Sequence, residues 1–224
     1  MKTGELNRSA QWRVPVREHF IGYCRKRGAD VESQKDAFAI AGEWLADCVA
    51  AWCPSYLERR LGIDPPKDFD GPDRGLLLYG EVGRGKTYLA RKIYECYSQA
   101  AKMSSANRKA VFVYDSEFYI GSLTKGPDYL EEFFFGNQRK ILFFDDLGNG
   151  EEAKRYGNAV SGREILRFRH MCREKYGVPA VITTNLNSKT LAEKYDIYVE
   201  SRVYSDYRSI FLQYPRDRRK ERWA

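Results

Sequence analysis

The chain has 224 residues, 43% of them hydrophobic, and a formal net charge of +7, enough for one α/β domain with an appendage around a real core. No apolar run approaches the roughly 20 residues that span a bilayer, and the start M-K-T-G-E-L-N-R-S lacks the apolar centre of a secretory signal, so a membrane or exported protein is not expected. The positive balance favours an anionic partner, nucleic acid first, against the plainer alternative of a merely basic protein. Five cysteines (Cys24, Cys48, Cys53, Cys96, Cys172) form no C-x-x-C pair and read as reduced thiols of a cytoplasmic protein.

Residues 1–32 are polar and basic around Phe20, Ile21, Tyr23 and Cys24, and read as a docking segment. From Ser33, the expected N-cap, apolar residues from Ala37 to Trp52 recur at three- and four-residue steps, which predicts one long amphipathic helix with Trp44 and Trp52 on one face. Pro54 ends or restarts it, Tyr56 to Leu61 adds a turn or two, and Gly62 to Arg74 is a loop. His19, Cys24, Cys48 and Cys53 can be drawn as a zinc set, although Cys48 already belongs to the apolar stripe.

Leu76 to Tyr79 is a short buried strand that runs into G-E-V-G-R-G-K-T, Gly80 to Thr87. The spacing of Gly80, Gly83, Gly85, Lys86 and Thr87 is that of a phosphate-binding loop. Glycines let successive N–H groups turn onto a polyphosphate, lysine meets the β/γ-phosphates, and the threonine hydroxyl serves Mg²⁺ at a helix N-terminus. The nucleotide-binding stretch is taken as Gly80, Glu81, Val82, Gly83, Arg84, Gly85, Lys86, Thr87 and Tyr88. Arg84 is a bulky cation where small residues are usual, either a further phosphate contact or a solvent-facing side chain.

Ala110 to Tyr114 is a second strand, and Ser116–Leu123 and Asp128–Phe135 are two short helices, the latter carrying Phe133, Phe134 and Phe135. Ile141 to Phe144 is apolar throughout, as in a parallel strand buried on both faces, and it ends in Asp145 and Asp146, where α/β sheets hold ligands. Asp145 is placed to hold Mg²⁺ through water and Asp146 to polarise the attacking water. Asn149 to Asn158 is a polar loop. Ala159 to Tyr176 is a basic helix whose charges suit a solvated face or nucleic acid equally. Val178 to Thr184 is a fourth strand ending at Asn185, an amide suited to orienting water. Leu191–Tyr195 and Tyr198–Tyr204 are helical, and Ser209–Gln213 is a last strand before a basic tail.

The order and spacing of these motifs, with V-E-S-R-V at 199–203, resemble the AAA+ ATPases. Within them the chain looks like the DnaC/IstB group of bacterial and phage helicase loaders and transposition helpers, over roughly residues 33–219. The resemblance implies an α/β P-loop NTPase fold of three αβα layers with a mostly parallel five-stranded sheet. Residues 33–224 are then the ATPase domain, with leading helices at 33–61, the core at 75–214, and the C-terminal lid absent or minimal. It makes Lys86 and Thr87 the Walker A pair, Asp145 and Asp146 the Walker B acids, Asn185 the first sensor and Arg202 the arginine finger.

It further implies ATP with Mg²⁺ and head-to-tail self-association, because an arginine supplied in trans leaves a monomer unable to complete its own site. The implied function is to bind single-stranded DNA and load a hexameric replicative helicase. The insertion at 116–135 would meet DNA through Phe118, Tyr119 and Lys125. Arg216, Arg218 or Arg219 would stand in for a second sensor. A transposition helper on duplex DNA, an ATP-switched adaptor and a P-loop small-molecule kinase are the alternatives. The implied setting is a cytoplasmic, bacterial or phage-encoded protein.

Overall fold

A computed structural model describes residues 11–106, 108–148, 153–155, 158–160, 162–195 and 197–213. The chain divides into two compact units, one of residues 1–72 with 91–109 and the other of residues 73–90 with 110–224.

In the first unit α1 (Arg13–Arg25) packs on α2 (Lys35–Trp52). Val16, Phe20, Ile21 and Cys24 share one face of α1 at helical spacing and are all buried. Ala41, Gly42 and Ala46 keep the facing side of α2 low, and a Cβ on Gly42 would stand 2.7 Å from Arg17 Cγ. Arg13 Nε donates to Asp47 Oδ1 at 2.8 Å across the pair.

Ser33 does not cap α2. It sits in a 3₁₀ turn, Glu32–Gln34, where its N–H donates to Asp30 Oδ1 at 3.2 Å, and α2 starts from Gln34 without a side-chain cap. Pro54 restarts the chain as α3 (Pro54–Tyr56), which runs into a π turn, Leu57–Leu61, closed by Gly62 at φ 66°. Trp44 is core, 4% exposed, whereas Trp52 is half-buried against Tyr97 with the Arg108 guanidinium over its ring.

The zinc set does not assemble: Cys24, Cys48 and Cys53 are buried, His19 is exposed, and the described residues hold no group of three or more metal-ligating side chains. Burial holds these thiols protonated, with Cys24 and Cys53 pushed up to about 12.

The second unit is built on a parallel sheet. Its strands are β1 (Gly75–Tyr79), β2 (Ala110–Tyr114), β3 (Ile141–Leu147), β6 (Ala180–Thr184) and β7 (Tyr207–Phe211), in the order β2-β3-β6-β1-β7. All four pairings are parallel, and helices lie on both sides. β1, β3 and β6 are buried along almost their whole length, as strands of a helix-covered sheet must be. α4 (Lys86–Ser104) leaves the loop after β1, and α5 (Asp115–Lys125) and α6 (Pro127–Asn137) join β2 to β3. The expected polar loop at 149–158 contains instead a short hairpin, β4 (Ala153–Arg155) with β5 (Asn158–Val160). Ala159 and Val160 therefore belong to a strand, and α7 (Gly162–Tyr176) starts at Gly162, where a Cβ would stand 2.4 Å from Tyr195 Oη.

α8 (Ser188–Tyr195) and α9 (Ile197–Asp206) follow β6. The last strand begins two residues earlier than expected because its partner sets its start: Tyr207 pairs with Gly75, and Phe211 with Tyr79.

α7 is where sequence and structure differ in kind. Its basic residues divide: Arg167 and Lys175 are exposed, Arg163, His170 and Arg173 are half-buried, and Arg169 is buried. Arg169 is 1% exposed and donates to the carbonyls of Asn137, Lys140, Val178 and Pro179 at 3.2–3.3 Å. It ties the end of α6 and the entrances of β3 and β6 together. Arg173 and His170 turn to Asp206.

Candidate active site

β1 ends at Tyr79, and the loop leaves it through Gly80, Gly83 and Gly85 at φ 145°, 80° and 85°, a region side chains rarely enter. Gly80 has a second constraint, since a Cβ there would stand 2.6 Å from the Leu212 carbonyl oxygen. The Leu212 N–H donates to Tyr79 O at 2.9 Å, so the chain leaving β7 lies directly against the loop.

Lys86 is the first residue of α4 and is 5% exposed. Its ammonium donates to Gly80 O and Glu81 O, both at 2.8 Å, and to Asn185 Oδ1 at 2.6 Å. Lysine and amide thus converge at the carboxyl ends of the adjacent strands β1 and β6. Arg84 is half-buried rather than solvent-facing. It folds back on Glu81, its Nε donating to Glu81 Oε2 at 3.1 Å. Thr87 and Tyr88 are half-buried in the first turn of α4, and Val82 is exposed.

The acids stand at a break in strand pairing. Phe144 pairs with Ile182 and Leu147 with Thr184, so β3 carries one extra residue over this interval, a bulge that re-aims Asp145 and Asp146. Asp146 adopts φ 65°, a left-handed conformation that acids tolerate better than most residues. Thr183 holds the break in place. Its Oγ1 donates to Asp145 Oδ1 at 2.6 Å and accepts from the Asp146 N–H at 2.8 Å. Asp145 is 2% exposed and Thr183 fully buried. Next along β6, Thr184 Oγ1 donates to Leu147 O at 2.7 Å, and Asn185 follows.

The structure therefore joins Lys86 to Asn185 directly and Asp145 to Asp146 through Thr183, two residues before Asn185. Thr183 was not among the sequence-derived site residues; its signal is the T-T-N that ends β6. This donor set fits a nucleoside triphosphate with Mg²⁺: backbone N–H groups at positive-φ glycines, an ammonium at a helix start, and hard oxygen ligands from a hydroxyl and a carboxylate.

Arg202 lies on α9, exposed, and its side chain makes no hydrogen bond or ion pair among the described residues. Of the three residues expected at DNA, Phe118 is excluded by burial. It is 3% exposed, with Phe133 and Phe144 edge-on at centroid distances of 4.9 and 5.8 Å, so its ring is spent on the core. Tyr119 is half-buried, and Lys125 is exposed with its ammonium 5.0 Å from the Tyr129 ring centroid. Phe133 is core as well, while Phe135 is 77% exposed. Arg216, Arg218 and Arg219 lie outside the described residues.

The five-stranded parallel sheet, with its helices on both sides and the glycine loop after β1, gives the chain a P-loop αβα fold of the AAA+ kind. A crystal structure of the DnaC helicase loader superposes with a TM-score of 0.55 at 19% identity, covering 81% of this chain and 90% of that one. In sequence, the chain is 35% identical over 115 residues to a proteasome-activating nucleotidase of Sulfurisphaera tokodaii, 50% of this chain and 25% of that protein. It is 30% identical over 153 residues to the 26S proteasome regulatory subunit 6B homolog of Schizosaccharomyces pombe, 66% of this chain and 33% of that protein. The matches thus span a quarter to a third of these curated relatives. The chain matches no protein-family profile. No helix among the described residues is long and apolar enough to cross a membrane.

Proposed function

We propose that the protein is an ATP-hydrolysing replication factor that assembles head to tail, binds single-stranded DNA and delivers a hexameric replicative helicase, docking through residues 1–32. The observation that carries the ATPase part is the convergence of Lys86 and Asn185 at 2.6 Å beside the Thr183-bound acids. In this reading Lys86 and the loop N–H groups hold the β- and γ-phosphates, with the N-terminus of α4 adding its positive dipole end. Thr87, and Asp145 through water, would hold Mg²⁺, which would supply neutralisation of charge across the phosphates. Asp146 polarises the attacking water and Asn185 orients it. Arg202 of one protomer meets the γ-phosphate of its neighbour, a contribution that in other phosphoryl-transfer enzymes reaches about 10³–10⁵ in rate.

The helicase-loading part is supported by the likeness in fold to the DnaC helicase loader and by the net positive charge. The test is binding to labelled single-stranded and duplex oligonucleotides with a non-hydrolysable ATP analogue and with ADP, at fixed salt because phosphate contacts are salt-dependent. Tighter, ATP-dependent binding to single strands is expected. A preference for duplex would replace the loader reading with a transposition helper, and binding to neither would leave an adaptor or a kinase. For the active site, Lys86→Ala is expected to abolish nucleotide binding or turnover; unchanged turnover would overturn the assignment.

A further inference from the structure

A polar cluster around one buried carboxylate at the foot of α9 is not used by the chemistry above. Asp206, the last residue of α9, is 3% exposed. Its Oδ2 lies 2.6 Å from His170 Nδ1, and its Oδ1 accepts from Arg173 Nη1 at 2.6 Å and from Ser205 Oγ at 2.9 Å. His170 and Arg173 both come from α7, and His170 Nε2 stands 3.3 Å from Glu174. The Arg173 Nε donates to Asp73 O at 2.9 Å, which anchors the cluster to the chain entering β1. Ser205 Oγ also lies 3.0 Å from the Arg202 carbonyl oxygen, so its one proton is shared between the buried carboxylate and the backbone of Arg202.

A buried charged cluster is a poor way to gain stability, because desolvating the charges offsets most of their attraction. What it supplies is direction. Apolar contacts of Val199 and Val203, both buried, hold α9 to the unit but tolerate small rotations and slides, whereas a carboxylate with three partners does not. Arg202 is one turn upstream of Asp206, so its stem leaves the helix within about 40° of the fixed carboxylate.

We propose that Asp206, with His170, Arg173 and Ser205, is a positioning device that sets the angle at which α9 presents Arg202 to a neighbouring copy of this chain. The proposal rests on reading Arg202 as the arginine supplied in trans. Asp206 touches no substrate in this scheme; it acts through Arg202.

Mixed oligomers separate this role from a merely structural one. Arg202→Ala protein keeps an intact phosphate loop, and Lys86→Ala protein keeps an intact Arg202, so their mixture is expected to recover turnover that neither has alone. Placing Asp206→Asn on the Arg202 donor (Lys86→Ala/Asp206→Asn) is expected to lower the recovered turnover at least tenfold. Placing it on the loop donor (Arg202→Ala/Asp206→Asn) should leave recovery unchanged. Equal loss on both sides, or loss on neither, overturns the proposal while leaving Arg202 in its role. No recovery in the parent mixture overturns the trans reading of Arg202 and the positioning role with it. Should Asp206→Asn fail to fold, Ser205→Ala removes the hydroxyl that reaches both Asp206 and the Arg202 carbonyl while leaving His170 and Arg173 on the carboxylate, and the same donor-side asymmetry is expected; its absence is decisive against the proposal.

Discussion

Thr183 carries two jobs on one oxygen, donating to Asp145 and accepting from the Asp146 N–H. Thr183→Val keeps the shape and removes both bonds. Turnover is expected to fall about 10–100-fold, the usual cost of losing a partner that orients a ligating group, while nucleotide affinity, set by the loop, changes little. A titration with a fluorescent nucleotide beside a phosphate-release assay checks both halves; a large loss of affinity would place Thr183 in binding instead. Phe118 shows the opposite error of sequence reading. An aromatic residue in an insertion suits base stacking and core packing equally well, and only the rings of Phe133 and Phe144 around it decide for the core. Phe118→Ala is expected to cost about 3–5 kcal/mol of stability as a cavity in the core, read by denaturant unfolding.

Among the elements, the sheet was legible because its strands announce themselves. β1, β3 and β6 are apolar runs ending in glycine, acid and amide, and the ends of the runs are the site. The phosphate loop was legible for the same reason, since its glycines answer a backbone demand that no tertiary contact alters. Elements whose boundaries depend on a partner were not. The start of β7 follows from pairing with Gly75, and the β4–β5 hairpin is two three-residue strands, too short to show an alternating pattern. α7 was misread because a helical arginine is ordinarily a surface residue, and nothing local reveals that four carbonyls wait for Arg169. Arg169→Met, similar in length and apolar, leaves those carbonyls without their donor and is expected to cost at least about 3 kcal/mol. Urea unfolding measures this; a loss below about 1 kcal/mol would mean water replaces the guanidinium.

At the scale of the whole molecule, the first unit has its own pH signature. Burial pushes Cys24, Cys53 and Cys96 up to about 12 and holds Cys48 well above its ordinary value of 9.0. All four belong to that unit. A folded-state value above the unfolded one means the contribution is complete below about pH 9 and is lost as pH rises, because the unfolded chain releases protons that the folded chain keeps. Each thiol contributes a slope of roughly 1.4 kcal/mol per pH unit in that window. Tryptophan fluorescence suits the measurement, since Trp12, Trp44 and Trp52 lie in this unit and only Trp223 outside it. Under reducing conditions the unfolding midpoint is expected to be flat from pH 7.5 to 8.5 and to fall steadily above about pH 9. Cys48→Ala should make the fall shallower. An unchanged slope would show that these thiols ionise in the folded chain.

The left-handed backbone at Asp146 sets folding against chemistry. An L-residue at such a φ gives up about 1–2 kcal/mol that glycine would not. Asp146→Gly is therefore expected to raise the melting temperature and to abolish turnover in the same protein. Asp146→Asn, whose side chain also accepts this backbone, should abolish turnover with the melting temperature nearly unchanged. The fold would be sounder with glycine here, and the carboxylate is kept at the expense of that soundness, as expected of a residue that serves the reaction more than the architecture.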